Sequence, residues 1–333
     1  MRLAFGAIHE VNDDILKFAK QLGADGIIAH TQDFGQPEKG HLDFAPLINL
    51  RTRVESYGLR LEALENVPWK WNYKILLGLP GRDQQIENYQ KTVRNIGAAG
   101  IPILSYNFHA MRFYRTSFHT KGRGDADVTS FKMDLVRNAP LMTAGPGIDT
   151  SLIPLSHRRP IGDDEMWANF EYFIKAVVPV AEEAGVKLAL HPDDPPVPSI
   201  GGVARIMRSP DAFKRAVETV PSDCNGLLFC QGCYAEMGCD IPETIRYFGI
   251  RKKIFYVHFR NVRGTAEDFA ETFMDEGDTD MLAAMKAYKE VGFDGVMTED
   301  HAAHVVGDTD WGHRYRASAM GYIRALKQVV GSM

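Results

Sequence analysis

The sequence predicts an α/β protein folded as a (β/α)₈ barrel, a TIM barrel, with one long insertion after the fourth strand. Eight short apolar runs alternate with amphipathic helical runs along the 333 residues, and a barrel of this kind needs roughly 250 residues plus insertions. The competing fold is an open doubly wound sheet. It would place a Gly-x-Gly-x-x-Gly turn after an early strand, and none occurs there.

Each strand is predicted from a short apolar run that stops at polar residues. In chain order the predicted strands are 3–6, 26–30, 59–66, 101–108, 187–191, 226–230, 254–258 and 295–301. Apolar residues at helical spacing predict the helices 12–22, 44–57, 83–98, 164–184, 242–248, 280–291 and 313–329. Asn12 or Asp13 is expected to cap the first helix. Because no composition break divides this alternation, residues 1–333 are predicted to form a single barrel domain.

Composition and charge exclude several classes of protein. A net charge of −5 and a pI near 6.1 give no reason to expect a nucleic-acid partner. No apolar run approaches the roughly 20 residues that span a bilayer, and the N-terminus turns acidic at Glu10, which is untypical of a signal peptide. Four cysteines in a chain of this length do not make a disulfide framework. The expected location is the cytoplasm.

Polar residues at the strand ends are the candidates for chemistry, because barrel enzymes react at the carboxyl ends of their strands. A single histidine there would more often be a hydrogen-bonded core residue. Here four consecutive strands end in two imidazoles, a thiol and a carboxylate, namely His191, Cys230, His258 and Asp300. This set predicts one bound divalent metal. Nitrogen and sulfur ligands are soft enough to suit zinc, iron, cobalt or manganese better than calcium or magnesium.

The cysteines also allow a different interpretation. Cys224, Cys230, Cys233 and Cys239 fall within 16 residues, and 230–233 is formally a Cys-x-x-Cys. A structural zinc site uses two such pairs, or one pair with closely spaced histidines. Since two of these cysteines stand alone at wider spacing, the mixed ligand set is favoured.

Further residues are candidates for substrate binding and proton transfer. Asn107 ends the fourth strand, and Asp193 lies in a proline-rich loop where it could orient a substrate hydroxyl or cap the next helix. His301 and Tyr315 offer an imidazole and a phenol that suit proton transfer. Tyr315 could instead pack in the core at the start of the last helix. For both Asp300 and His301 to face one site, the chain must leave strand geometry there, because neighbouring strand residues point to opposite faces.

Residues 111–160 interrupt the alternation, and no strand is predicted in them. Eight basic and four acidic residues give this segment a net charge of +4. A long insertion after the fourth strand would lie over the catalytic face, where a basic lid would attract an anionic small molecule. Arg112 and Arg115 are nearest to the strand and are the expected anion contacts. The alternatives are a solvated surface insertion or a contact between copies in a homo-oligomer.

Several runs together resemble the mannonate dehydratase family over nearly the whole chain. They are KLALHPDDPP (187–196), GLLFCQGC (226–233), YVHFRNVRGT (256–265), ETFMDEG (271–277), LGLPGRD (77–83), SYNF (105–108) and Asp300-His301. The resemblance implies a xylose-isomerase-like barrel that dehydrates D-mannonate to 2-keto-3-deoxy-D-gluconate with Mn²⁺. It places the metal ligands on His191, Cys230, His258 and Asp300, and proton transfer on His301 and Tyr315.

The sequence departs from the family at two places. After SYNF, residues 109–116 read HAMRFYRT where the family has an aspartate–tryptophan element, and Thr298-Glu299 stand where Arg-Pro is expected. The sequence therefore predicts a metal-dependent hydro-lyase acting on a hexonate-like anion, with Mn²⁺ as cofactor or Fe²⁺, Co²⁺ or Zn²⁺ in its place. The alternatives are a sugar or sugar-acid isomerase or epimerase on the same barrel and a non-catalytic sugar-acid-binding homologue.

Overall fold

Eight parallel strands close into a barrel in the computed structural model, which describes residues 1–31 and 38–332. In chain order the barrel strands are β1 (Arg2–Ile8), β2 (Gly26–His30), β3 (Arg60–Glu65), β4 (Ile103–Asn107), β7 (Lys187–His191), β10 (Asn225–Cys230), β11 (Ile254–His258) and β14 (Val296–Thr298). Consecutive barrel strands are neighbours, and β14 pairs with β1 to complete the ring. The predicted (β/α)₈ barrel is confirmed.

Helices follow the strands and cover the outside of the barrel. They are α1 (Asp13–Gln21), α2 (Phe44–Ser56), α3 (Tyr73–Leu76), α4 (Arg82–Ala98), α5 (Asp163–Ala184), α6 (Pro210–Thr219), α7 (Gln231–Glu236), α8 (Ile241–Ile250), α9 (Met281–Glu290) and α10 (His313–Gly331). The side chain of Asn12 accepts a hydrogen bond from the backbone N–H of Ile15, so Asn12 is the cap of α1. None of the helices in the described ranges combines the length and the hydropathy that crossing a membrane requires.

The strand period of two residues divides the core into two layers. Along β10, Leu227 and Phe229 pack outward among the helices, whereas Leu228 and Cys230 belong to the cluster that fills the barrel. Small and medium side chains from the other strands, such as Ala63 and Ala189, complete that inner cluster. The alternation therefore turns the side chain of Cys230 toward the barrel axis at the carboxyl end of its strand.

A second, antiparallel sheet is built from two insertions, after β4 and after β11. The first contributes β5 (Ser117–Lys121) and β6 (Asp127–Lys132), and the second contributes β12 (Val262–Thr265) and β13 (Asp268–Glu271). The strand order is β12-β13-β6-β5. The expectation that 111–160 holds no strand is wrong. The two strands of this segment are short, and β6 pairs with β13 from a distant part of the chain. No local sequence pattern therefore predicts these strands.

A small hairpin joins the first insertion to the loop after β7. It consists of β8 (Ser199–Ile200) and β9 (Val203–Ala204). The backbone of Met142 donates to the carbonyl of Gly201, and Ile161 donates to the carbonyl of Gly202. The insertion at Met142 and the residue that follows it, Ile161, are thereby joined to the loop after β7.

Candidate metal centre and its cavity

His191, Cys230 and His258 end three neighbouring strands, and their side chains converge. One ligand atom from each lies within 4.8 Å of those of the other two. Asp300 completes the group from beyond β14, with Oδ2 at 3.3 Å from His258 Nδ1 and 3.9 Å from Cys230 Sγ. The structure thus brings together the four residues that the strand ends indicated as ligands.

The histidines are oriented for metal binding by contacts on their other nitrogen. His258 Nε2 lies 2.9 Å from Oε1 of Glu65, while His258 Nδ1, the atom that faces Asp300, makes no hydrogen bond. His191 Nδ1 is 2.7 Å from the carbonyl oxygen of Pro192, which leaves Nε2 for the centre. A carboxylate or carbonyl behind a metal-bound imidazole is a common arrangement. Two nitrogens, a sulfur and an oxygen therefore fit a divalent transition metal.

The electrostatics of the group favour a cation. Burial by itself raises the pKa of Cys230, but the hydrogen bond from Cys233 and the charge of Arg260 outweigh burial and hold its pKa well below the usual range. Burial by itself also raises the pKa of Asp300. The positive charges of His258 and His301 outweigh burial and hold the pKa of Asp300 well below the usual range. A thiolate and a carboxylate are the charge states that bind a divalent ion.

The backbone leaves strand geometry just before Asp300, the fourth candidate ligand. Strand β14 ends at Thr298, and Asp300 has a φ of 69°, in the left-handed region. His301 Nε2 consequently lies 3.6 Å from Oδ2 of Asp300, so these sequence neighbours face the same space. The expected irregular backbone at this point is confirmed.

Two adjoining cavities with a shared part of their lining lie beside this group. The first, called here the ligand cavity, has a volume of about 270 Å³ and is lined by the metal-ligand candidates His191, His258 and Asp300 together with His301. The second, called the side cavity, has a volume of about 290 Å³ and reaches under residues 147–152 of the first insertion. The residues that line both are His30, Glu65, Asn66, Asn107, His109 and Arg112. An elongated polar ligand can therefore extend from the ligand cavity into the side cavity.

Two of the four predicted substrate contacts line these cavities. Asn107 is held there by a hydrogen bond of 3.0 Å from its Nδ2 to Oδ1 of Asn66. Arg112 is fixed by a hydrogen bond of 3.0 Å from Nη1 to the carbonyl oxygen of Pro146. Arg112 lines both cavities and contributes a positively charged residue to their shared wall.

The other two predicted substrate contacts lie elsewhere. Arg115 is buried, and its guanidinium makes a bidentate ion pair with Asp194 at 2.5 and 2.7 Å. Asp193 accepts a hydrogen bond of 2.8 Å from the backbone N–H of Met207 and is buried. Neither lines the ligand cavity or the side cavity, so the structure does not support direct substrate contact for either. Asp194, one residue further on, lines the ligand cavity.

Asp194 also belongs to a buried network of ion pairs beside the ligand cavity. Arg260 contacts Asp194 with Nη1 at 3.2 Å and pairs with Glu236 through Nη2. Asp194, Cys233 and Glu236 are close enough to share an ion. Because Arg260 already supplies positive charge to both carboxylates, this group is an ion-pair network rather than a second metal centre.

Tyr315 does not line either cavity. It is 4% exposed, its hydroxyl donates to the carbonyl oxygen of Thr272 at 3.4 Å, and its ring packs edge-on against Phe273. Burial raises the pKa of its phenol. These contacts fit the alternative in which Tyr315 packs at the start of the last helix.

Sequence reasoning assigned no role to several residues at the site. Glu65, which orients His258, was visible only as a polar end of the third predicted strand. Glu271 hydrogen-bonds to His301, yet it lies on β13, a strand that no local pattern indicated. His9 and His30 stack at 4.1 Å in the wall of the ligand cavity, where burial lowers the pKa of His30 to about 4.

Comparison with known proteins gives consistent matches. The sequence profile of the D-mannonate dehydratase (UxuA) family matches residues 1–333. A mannonate dehydratase of Streptococcus pneumoniae (strain 70585) is 34% identical over 319 residues, covering 91% of this chain and 84% of that protein. The crystal structure of mannonate dehydratase from Streptococcus suis serotype2 has a TM-score of 0.85 and 32% identity, covering 99% of this chain and 93% of that one. An L-ribulose 3-epimerase structure, 14% identical with a TM-score of 0.62 over 99% of this chain and 96% of its own, shares the fold alone.

Proposed function

Because this chain belongs to the D-mannonate dehydratase family, we propose that it is a hydro-lyase that converts D-mannonate to 2-keto-3-deoxy-D-gluconate and water. The observation that carries this proposal is the convergence of the candidate ligands with His301 on one cavity at the carboxyl end of the barrel. The side cavity supports it, since a six-carbon polyol acid needs room beyond the reacting carbons.

We propose Mn²⁺ as the cofactor, held by His191, Cys230, His258 and Asp300, with Fe²⁺, Co²⁺ or Zn²⁺ as alternatives. The family resemblance implies manganese, and the mixed donor set suits all four ions. When bound, such an ion polarises the substrate carboxylate and disperses the charge that develops as the adjacent C–H bond breaks. The free thiols, Cys230 among them, are consistent with the reducing cytoplasm, where we place the enzyme.

Arg112 and Asn107 are proposed to bind the substrate. The guanidinium of Arg112 lines both cavities and would attract and orient an anionic sugar acid. Asn107, fixed by its contact with Asn66, would present its amide to a hydroxyl of the polyol chain. We propose that residues 147–152 of the 111–160 insertion cover that chain as a lid, because Gly147, Asp149 and Leu152 line the side cavity.

His301 is proposed as the general acid. Its Nδ1 is hydrogen-bonded to Glu271, which leaves Nε2 for the ligand cavity. The C3–O bond breaks as the departing oxygen takes a proton from His301 and leaves as water. We assign removal of the C2 proton to Tyr315 on the family resemblance. This assignment requires the phenol to turn away from the carbonyl of Thr272 when substrate is bound. The enol that remains rearranges to the 2-keto product.

A substrate panel tests the proposed function. Purified protein supplied with Mn²⁺ is incubated with D-mannonate, with other hexonates and with ketohexoses, and 2-keto-3-deoxy acids are measured with a colorimetric assay. We expect product from D-mannonate and no conversion of the ketohexoses. Interconversion of ketohexoses without a 2-keto-3-deoxy acid would favour the epimerase alternative, and binding of a hexonate without conversion would favour the non-catalytic one.

A further inference from the structure

We propose that Glu271 and Arg115 are positioning residues for His301, presented to it by the antiparallel sheet that the two insertions build. This inference rests on the proposed function, because it concerns how that reaction's acid is oriented. It also gives Arg115 a role other than the direct substrate contact expected from the sequence.

The contact between Glu271 and His301 fixes the imidazole. Glu271 Oε1 lies 2.8 Å from Nδ1 of His301, and Glu271 is buried at the end of β13. With Nδ1 held, the ring turns Nε2 toward Oδ2 of Asp300 at 3.6 Å, on the ligand-cavity side. A carboxylate behind an imidazole selects the tautomer that carries the proton on Nδ1 when the ring is neutral. The same contact stabilises the protonated ring.

The carboxylate of Glu271 is in turn held by two buried guanidinium groups. Arg115 Nη2 donates to the same Oε1 at 2.9 Å, and Arg260 Nε lies 3.2 Å from Oε2. Arg115 is itself held by the bidentate pair with Asp194 and by the ring of Phe269, whose centroid is 4.9 Å from its guanidinium carbon. Ion pairs that are fully buried and hydrogen-bonded have little freedom to rotate. Glu271 therefore presents a fixed oxygen to His301.

The two positioning residues come from different insertions, and the small sheet joins them. Arg115 precedes β5, and the backbone N–H of Thr116 donates to the carbonyl of Ser130 on β6 at 2.9 Å. Strand β6 pairs with β13, where Phe269 lies opposite Phe131. The sheet thus holds Arg115 and Glu271 next to each other, in addition to the pair between Arg115 and Asp194. This connection gives the first insertion a part in the chemistry beyond covering the side cavity.

Kinetics of Glu271→Gln test the proposal. The variant keeps the shape of the side chain, but an amide carries an NH₂ group, and it cannot accept from His301 and both guanidinium groups with the same geometry. We expect kcat for D-mannonate to fall about 10- to 100-fold, while KM changes by less than about threefold and metal content is unchanged. Arg112→Gln is the matched control at the cavity wall. It should raise KM about tenfold or more with a smaller change in kcat.

A purely structural ion pair would give a different result. Glu271→Gln would then lower the melting temperature and leave kcat of the folded enzyme unchanged, and that outcome overturns the proposal. If wild-type protein does not convert D-mannonate, the proposed function fails and this inference with it. Conversion by wild type together with an unchanged kcat in Glu271→Gln refutes the inference alone.

A spectroscopic measurement does not depend on the variant folding. Wild-type protein with ¹⁵N-labelled histidine, loaded with Zn²⁺ because this ion is diamagnetic, is studied by NMR. We expect the His301 ring to carry a proton on Nδ1 both when neutral and when charged. A neutral His301 with its only proton on Nε2 would contradict the hydrogen bond to Glu271 and overturn the proposal.

Discussion

The position of His258 follows from the strand pattern, whereas its chemical role follows from its contacts. Its position at the end of β11 brings it to the barrel mouth, but its role depends on two distant carboxylates. Glu65 faces one ring nitrogen and Asp300 faces the other. Burial lowers the pKa of His258, and the charges of Asp300 and Glu65 outweigh burial and raise it well above the usual value. A divalent cation and a proton would compete for the same nitrogen.

Removal of a single ligand is expected to abolish metal binding. Cys230→Ser replaces the thiolate of the proposed site with a hydroxyl, and His258→Ala removes an imidazole, so only three of the four proposed donors remain in their original form. Elemental analysis of the purified variants should show strongly reduced metal content. Cys224→Ser is the control, because Cys224 lies outside the ligand group and should retain the metal. Full occupancy in both ligand variants would eliminate this site.

Replacing the two residues proposed for proton transfer is expected to affect turnover without affecting the metal. His301→Ala and Tyr315→Phe should each lower activity about 10²- to 10⁴-fold, with wild-type metal content by elemental analysis. The structure supports a loss of activity more directly for His301→Ala than for Tyr315→Phe, because His301 lines the ligand cavity whereas Tyr315 does not. Near-normal turnover in Tyr315→Phe would show that Tyr315 is not the base and that its role is packing against Phe273.

The sequence predicts which side chains lie close together where strand geometry decides it, and it does not where the contact depends on a distant partner. The ends of β7, β10 and β11 must meet, so His191, Cys230 and His258 could be inferred together. Asp193 and Asp194 are adjacent in the sequence, and their order does not reveal which one faces the backbone of Met207 and which one faces the cavity.

At the scale of elements, the barrel strands were predictable because each lies in a short apolar run. The predicted strand 254–258 coincides with β11, and 187–191 coincides with β7. The strands of the small sheet were not predictable. Strand β5 is largely exposed and carries few apolar residues, and β13 needs β6, far away in the chain, to form its ladder. Pairing between distant segments leaves little trace in local sequence.

The small sheet is expected to depend on its own aromatic contact. Phe131 of β6 is fully buried, with its ring 6.0 Å from that of Phe269 on β13. Phe131→Ala should lower the free energy of unfolding by about 3–5 kcal/mol and speed amide hydrogen exchange in β12 and β13 more than in the barrel strands.

The exposed ring of Phe118 on β5 provides the control for that experiment. It is 45% exposed, so Phe118→Ala should change stability by no more than about 0.5 kcal/mol. Because β13 carries Glu271, Phe131→Ala should also lower kcat more than it changes metal content. Uniform acceleration of exchange across the barrel would show that the small sheet is not a separate cooperative unit.

At the scale of the whole molecule, the barrel supplies the candidate metal ligands and the insertions supply the groups proposed to act around them. His191 and Asp300 are far apart in sequence, and closure of the ring brings their side chains to one cavity. The insertions add Arg112 to the cavity wall and Glu271 behind His301. The sequence indicated the first contribution through its alternation of strands and helices. Arg112 was expected from the sequence as an anion contact in a basic lid. The place of Glu271 behind His301 depends on contacts between the two insertions and is seen only in the structure.

The ligand cavity is proposed to dehydrate D-mannonate with a metal held by His191, Cys230, His258 and Asp300. An NMR time course with ¹³C-labelled D-mannonate tests it most directly, using Mn²⁺-reconstituted wild type, the same protein after chelation, and Cys230→Ser. We predict a ketone at C2 and a methylene at C3 with the reconstituted wild type, and no conversion in the other two samples. Equal conversion without metal, or a product that retains oxygen at C3, would contradict the account.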